Sequence, residues 1–264
     1  MNPYLSVIIP AYNEEERITT TLDAVYSYLR QQAYTWEMLI VQDGGTDNTP
    51  AVVEAFARGK EQIRWLPRSQ NRGKGYTIRQ GMLAARGQIR LYTDADNSTD
   101  MSHFDKMKPL FDAGAEVVIG SRDRKDAVGA TQATPQPAFK RFLGNAGNLI
   151  IQLFVVPGIW DTRCGFKAFT AQAAARIFAA AKMDGFSIDD EALALARRFG
   201  YQIKIIPAYW INVAGTHVTK LDYIKNIFEA VRIRWNLMTG VYNVSNASLD
   251  KLPSIEERGV NSRQ

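Results

Sequence analysis

Leu5-Ser6-Val7-Ile8-Ile9-Pro10-Ala11-Tyr12-Asn13-Glu14-Glu15-Glu16 sets a pattern that the first half of the chain repeats. Its opening residues are apolar, rich in β-branched side chains and closed by proline, which reads as a short buried strand. Asn13 ahead of three glutamates reads as a helix start: a capping side chain, with acids in the first turn where the helix dipole favours them. That helix is expected to reach about Arg30. Trp36 to Gln42 reads as a second strand ending at Asp43-Gly44-Gly45, and Asn48 as the cap of a helix to about Arg58. Ile63 to Leu66, Gln88 to Thr93 and Glu116 to Gly120 follow as strands. Helices are expected over Gly73 to Arg86 and near Ser102 to Asp112. Strand–helix alternation with short connections predicts an α/β fold, a parallel sheet with helices on both faces.

Ligands of such sheets bind beyond the carboxyl ends of the strands. Polar groups gather there at four points: Tyr12-Asn13-Glu14, Asp43-Gly44-Gly45, Asp94-Ala95-Asp96 and Ser121-Arg122. Asp94 and Asp96 follow the apolar run Ile89 to Thr93. Two carboxylates so spaced suit a hard cation, Mg²⁺ or Mn²⁺, which binds through one or two carboxylates plus substrate phosphates. A solvated turn is the plainer reading of the same residues. No G-x-x-x-x-G-K-[ST] phosphate loop occurs, and Gly73-Lys74-Gly75 lacks dinucleotide spacing.

The 264 residues suffice for one large α/β domain or two small ones. The longest nearly pure apolar run, Leu149 to Val156, falls far short of the roughly 20 residues that span a bilayer. The N-terminus enters a strand at once, so no signal peptide is expected. A single cysteine, Cys164, excludes an internal disulfide framework and fits a reducing compartment. It reads as a buried residue in a strand. Two histidines, His103 and His217, leave little room for a zinc site and read as structural. A net charge of +5 suits phosphates or an acidic membrane surface. No nucleic-acid partner is expected.

The second half reads differently. Asp123 to Pro137 is a polar loop, and Phe139 to Val156 is apolar behind Lys140 and Arg141. Ala171 to Lys182 and Ile188 to Phe199 read as helices, Gln202 to Ile206 as a strand. Asp222 to Met238 reads as a helix carrying Lys225, Arg232 and Arg234 among apolar residues. The expected layout is one domain over 1–242, in halves of about 1–122 and 123–242, with a polar tail over 243–264.

Val7 to Glu14, Asp43-Gly44-Gly45-Thr46-Asp47-Asn48-Thr49 and Asp94-Ala95-Asp96 together resemble the family 2 glycosyltransferases of GT-A fold. Asn71-Arg72-Gly73-Lys74-Gly75 and Asp161-Thr162-Arg163-Cys164-Gly165-Phe166-Lys167 narrow the resemblance. They are similar to the polyprenyl-phosphate glycosyltransferases, nearer the glucosyl than the mannosyl branch. The resemblance implies a Rossmann-like, mostly parallel sheet flanked by helices. The first half would hold the nucleotide sugar, and the C-terminal helices would face the acceptor.

It also implies roles. Pro10, Tyr12 and Glu14 would hold uracil and ribose, where the residues alone suggest a helix cap. Asp43 would accept from a base N–H or ribose hydroxyl, or simply close a turn. Asp94 and Asp96 would bind Mg²⁺ or Mn²⁺, with Asn97 as a neighbour. Lys74, with Arg72, would meet phosphates, or remain a solvated cation. Arg122 would grip phosphate bidentately, or pair with Asp123. Lys140 and Arg141 would meet the acceptor phosphate and lipid headgroups on an interfacial helix, or open a core helix. Asp189 and Glu191 match an acid facing the acceptor; as residues they serve the helix dipole equally well.

The implied reaction is inverting, metal-dependent transfer of a sugar, glucose from UDP-glucose, to a polyprenyl (dolichyl or undecaprenyl) phosphate. The protein would sit peripherally at the cytoplasmic face of a membrane. A phosphate monoester, with its second pKa near ~6, is already an anionic nucleophile near neutral pH and needs no general base. Two alternatives stand beside this reading. One is transfer to a sugar hydroxyl, with Asp189 or Asp190 as the base that a hydroxyl requires. The other is mannosyl transfer from GDP-mannose. A non-catalytic nucleotide-sugar or membrane-binding module fits less well, because it has no use for both acids.

Overall fold

The computed structural model describes residues 2–132, 148–211 and 220–243. The alternation appears as read: β1 (Leu5–Ala11), α1 (Ile18–Leu29), β2 (Trp36–Gln42), α2 (Thr49–Ala57), β3 (Ile63–Leu66), α3 (Lys74–Ala84), β4 (Ile89–Thr93), α4 (Phe104–Asp112) and β5 (Val117–Ser121). After it come β6 (Thr131–Gln132), α5 (148–154), β7 (Phe166–Thr170), α6 (Ala171–Ala180), α7 (Ile188–Arg198), β8 (Ile203–Pro207), β9 (Tyr209–Trp210) and α8 (Lys220–Thr239).

Seven strands form one sheet in the order β3-β2-β1-β4-β7-β5-β8, and β6 pairs with β9 alongside it. All neighbours in the large sheet are parallel except β7, which runs against both β4 and β5. The sheet is thus mixed but mostly parallel, as expected. Strands of the second half lie in the same sheet as those of the first.

β1 shows why the strands are apolar on both sides. Ile8 faces one core layer with Val41, Ile78, Ile177 and Leu193. Val7 and Ile9 face the other, with Ile18, Leu22, Phe104 and Met107. Side chains alternate across a strand, so a sheet covered by helices on both faces draws apolar residues to both sides of each strand. Each fully buried Ile or Leu stabilises the fold by ~2 kcal/mol.

The reversal of β7 positions the site. Phe166 pairs with Thr93, at the carboxyl end of β4. Chain entering β7 therefore arrives at the ligand edge of the sheet and brings Asp161 to Gly165 with it. Cys164 is buried there, but just before β7 rather than in it.

Two helix starts differ from expectation. α1 begins at Ile18, and Asn13 stands in the left-handed region at φ 52°. Its Oδ1 accepts from the N–H of Thr46, 2.9 Å away, and so ties the β1 loop to the β2 loop instead of capping a helix. At α2 the capping position is Asn48 as read, but its side chain makes no cap bond. Asp47 accepts from the Thr49 N–H at 3.1 Å instead. Lys140, Arg141 and His217 lie outside the described residues.

Candidate active site

Asp94 begins where β4 stops. Its N–H donates to the Gly165 carbonyl at 3.2 Å, and the Thr21 hydroxyl donates to the Ala95 carbonyl at 2.6 Å. These bonds hold the acidic turn between α1 and the entry to β7. A Cβ on Gly165 would fall 1.9 Å from Asp94 Oδ2, so the carboxylate lies directly over this glycine and would have to move if a side chain stood there. Asp96 Oδ1 accepts from the Ser98 N–H at 2.9 Å, and Asn97 stands at φ 52°, which Asn tolerates better than most residues.

Lys74 Nζ lies 2.6 Å from Asp94 Oδ1. The start of α3 carries it there by docking on the chain before α7. The N–H groups of Gly75 and Tyr76 donate to the Asp184 carbonyl at 2.7 and 3.2 Å. Gly73, at φ 96°, leaves 2.4 Å between the place of a Cβ and that carbonyl oxygen. Burial raises the Asp94 pKa, Lys74 opposes the rise, and the charge of Asp96 adds to it. Burial alone would lower the Lys74 pKa, but Asp94 and then Asp189 carry it upward. Each charge therefore opposes the effect of burial on the other.

Arg17 joins them from the start of α1. Its guanidinium donates to Glu14 Oε1 at 2.8 Å, and its pKa is raised by that bond, with Asp96 and Asp94 contributing. Glu14 is thus buried against a cation. Tyr12 is exposed just beyond β1, and Pro10 is half-buried near the end of that strand.

Asp43 accepts from the Arg72 N–H at 2.8 Å and from the Arg68 guanidinium. Arg68 follows β3 as Asp43 follows β2. The strand-end rule that singled out four polar clusters finds it too, once β3 is counted.

Arg122 pairs with Asp161 and not with Asp123. Its Nε and terminal nitrogen donate to the two Asp161 oxygens at 2.7 and 2.8 Å, and its own N–H adds a third bond at 2.8 Å. Asp123 turns to the Lys125 N–H. Burial would raise the Asp161 pKa, yet Arg122 holds it below the usual carboxylate range. The ring centre of Trp210, on β9, lies 5.4 Å from the Arg122 guanidinium carbon.

The α7 acids divide. Asp189 is buried and accepts from Tyr92 Oη at 2.6 Å and Lys167 Nζ at 2.5 Å. Burial would raise its pKa, but Lys167 and Lys74 hold it down, so it lies within the electrostatic reach of the Lys74–Asp94 pair. Asp190 accepts from the Thr162 hydroxyl at 2.6 Å and Arg163 at 2.9 Å. Glu191 accepts from the N–H groups of Lys182 and Met183 and, at 2.6 Å, from Tyr242 Oη. Its contacts tie α7 to the chain after α8, not to the acidic pair. Among the described residues, no cluster of three or more Asp, Glu, His or Cys offers a metal cage.

The ligand edge of the sheet thus holds two adjacent carboxylates, a lysine set upon one of them, and arginines behind the neighbouring strand ends. Residues 6–178 match the profile described as Glycosyl transferase family 2. The chain is 33% identical to dolichyl-phosphate beta-glucosyltransferase ALG5C of Trichomonas vaginalis over 253 residues, 92% of this chain and 74% of that protein. It is 36% identical to dolichyl-phosphate beta-glucosyltransferase of Saccharomyces cerevisiae over 258 residues, 90% of this chain and 76% of that protein. Among solved structures, glucosyl-3-phosphoglycerate synthase of Mycobacterium tuberculosis, in complex with Mn²⁺, UDP-glucose and phosphoglyceric acid, superposes with a TM-score of 0.64 at 15% identity. That match covers 93% of this chain and 82% of the other, and it shows a shared fold. A profile that spans β1 to α6, and with them the whole acidic edge, decides the matter: the chain belongs to glycosyl transferase family 2 and is a glycosyltransferase.

Proposed function

We propose that this enzyme transfers glucose from UDP-glucose to a polyprenyl phosphate, dolichyl or undecaprenyl, at a membrane surface, with inversion at the anomeric carbon. The relatives named above support the sugar and the acceptor class. The observation that carries the choice of a phosphate over a hydroxyl acceptor is the state of the α7 acids. Asp189, Asp190 and Glu191 are buried and already engaged by Lys167 and Tyr92, by Arg163 and Thr162, and by Tyr242 and backbone N–H groups. A hydroxyl nucleophile requires a base with room to take a proton. An ionised phosphate requires only positioning and charge stabilisation.

Asp94 and Asp96 are the proposed holders of Mg²⁺ or Mn²⁺. Their hydrogen bonds from Lys74 and Ser98 use Oδ1 of each. Two carboxylates without a third fit a cation that completes its shell with diphosphate oxygens and water. When bound, the metal supplies Lewis-acid neutralisation of the departing diphosphate. The chain's own residues do the rest. Lys74 turns from Asp94 to the diphosphate and keeps the edge cationic as charge develops there. Tyr12, Pro10, Glu14 and Asp43 hold the base and ribose, and Asn97 shapes the turn. Arg122, fixed by Asp161, would bind the acceptor phosphate, with Lys140 and Arg141 as further proposed partners of it.

The test is UDP release from UDP-glucose with Mn²⁺ or Mg²⁺, with and without polyprenyl phosphate, and with GDP-mannose in parallel. Lipid-dependent release that disappears in Asp96→Ala supports the reading. Release that a glycan stimulates and lipid does not would replace it with hydroxyl transfer.

A further inference from the structure

α8 is held to the protein by one face. Asn226, Ala230 and Ile233 are buried, Leu237 packs on the same core, and Ser187 approaches Asn226 at 3.4 Å. Tyr242, just beyond the helix, is locked to Asn236 and Glu191. The opposite face carries Phe228, Val231, Trp235 and Met238, spaced three, four and three residues apart, so they form one stripe. They are not scattered apolar residues: Phe228 is 71% exposed, Trp235 64% and Met238 68%.

Charge lies on both edges of the stripe. Lys225 and Arg232 are exposed on one side and Arg234 on the other. Glu229 turns inward toward Gly185. An apolar stripe holding a tryptophan, edged by cations and turned away from the core, is built for an anionic lipid interface. α5 presents a second exposed apolar set, Leu149, Leu153 and Phe154. α8 and the chain just after α5 meet the same end of α7, where Arg198 donates to the Leu237 carbonyl and Arg197 to that of Pro157. Among the described residues no helix is long and apolar enough to cross a membrane, so contact of this kind lies along a surface.

We propose that the outer face of α8 is the surface by which the enzyme docks on an anionic membrane, with Phe228, Val231, Trp235 and Met238 entering the interface and Lys225, Arg232 and Arg234 meeting lipid phosphates. The inference deepens the lipid-acceptor reading and rests on it for its purpose, but its evidence is the helix itself.

The experiment is co-sedimentation of the full chain with vesicles of phosphatidylcholine alone or mixed with phosphatidylglycerol. UDP release on polyprenyl phosphate is measured in parallel, both in those vesicles and in detergent. The wild type is expected to prefer the anionic vesicles. Trp235→Glu should weaken binding at least about tenfold, and Arg232→Gln roughly fivefold, the effect of one basic residue near a charged surface. Both variants should retain release in detergent, which also shows that they are folded. Vesicle binding unchanged in both variants overturns the proposal. So does a wild-type dimer in sedimentation that Trp235→Glu dissociates without loss of vesicle binding, since the stripe would then face a second copy. If detergent release never depends on lipid while vesicle binding still follows α8, the acceptor reading fails and the docking surface stands.

Discussion

Lys74 and Asp94 belong to motifs on different strand connections, yet Nζ and Oδ1 stand 2.6 Å apart, and each opposes the effect of burial on the other's charge. Lys74→Met removes the cation that opposes the effect of burial on Asp94, so the Asp94 pKa must climb further. The form that binds a cation is the carboxylate. The acid limb of the kcat/KM profile is therefore expected to move to higher pH, with a loss of about 10²-fold at neutral pH. Lys74→Arg should recover part of the loss. A pH profile that superposes on that of the wild type would reduce Lys74 to a surface cation.

Gly165 is tested by the smallest possible change. In Gly165→Ala the new methyl meets Asp94 Oδ2 at 1.9 Å, and the carboxylate must swing away. A displacement on the order of 1 Å at a positioned group costs about 10²-fold in rate. The expected result is a rise in the Mn²⁺ concentration needed for half-maximal activity, with Tm nearly unchanged. Unchanged metal dependence would mean that Asp94 does not hold the cation.

The strands, their order of polar ends and the acidic turn were readable because each is a local pattern: an apolar run, then a break, then a charged group. The failures share a cause. Arg122 finds Asp161 across 39 residues, and Glu191 finds Tyr242 across 51, so neither partner lies within a window that periodicity or capping rules examine. Asn13 looks like a cap because Asn followed by acids favours one. The tie to Thr46, made across the sheet from the β2 loop, took its side chain first. β7 escaped as an antiparallel strand because apolar alternation carries no direction. Its direction follows from where the preceding segment ends, at the carboxyl edge beside Thr93.

Asp161 links the site to stability. Its pKa is lower in the folded chain, against burial, because of Arg122. A depressed acid contributes stability above its unfolded pKa, about 4, and loses it as pH falls through the folded value. Asp161→Asn leaves Arg122 buried beside a neutral partner, at a cost of about 3 kcal/mol at pH 7. Denaturant titrations should show the gap between wild type and variant narrowing as pH drops below about 4. A constant gap would mean that the ion pair contributes nothing to folding.

Glu191 separates structure from chemistry among the α7 acids. Burial raises its pKa, which by itself would suit a general base, but its oxygens face Tyr242 Oη and the N–H groups of Lys182 and Met183. Glu191→Gln keeps the shape while turning one acceptor into a donor, so one of those N–H or O–H groups loses its partner. The expected cost is about 1–3 kcal/mol of stability, the range for an unsatisfied buried group. With Tm lowered and the variant still folded at the assay temperature, kcat should stay within about twofold of wild type, because a group that only anchors α7 to the end of α8 enters no barrier. Tyr242→Phe should reproduce the fall in Tm, again with kcat preserved. A loss of kcat in Glu191→Gln at unchanged Tm would place the carboxylate in the reaction, and the hydroxyl-acceptor mechanism would then have its base.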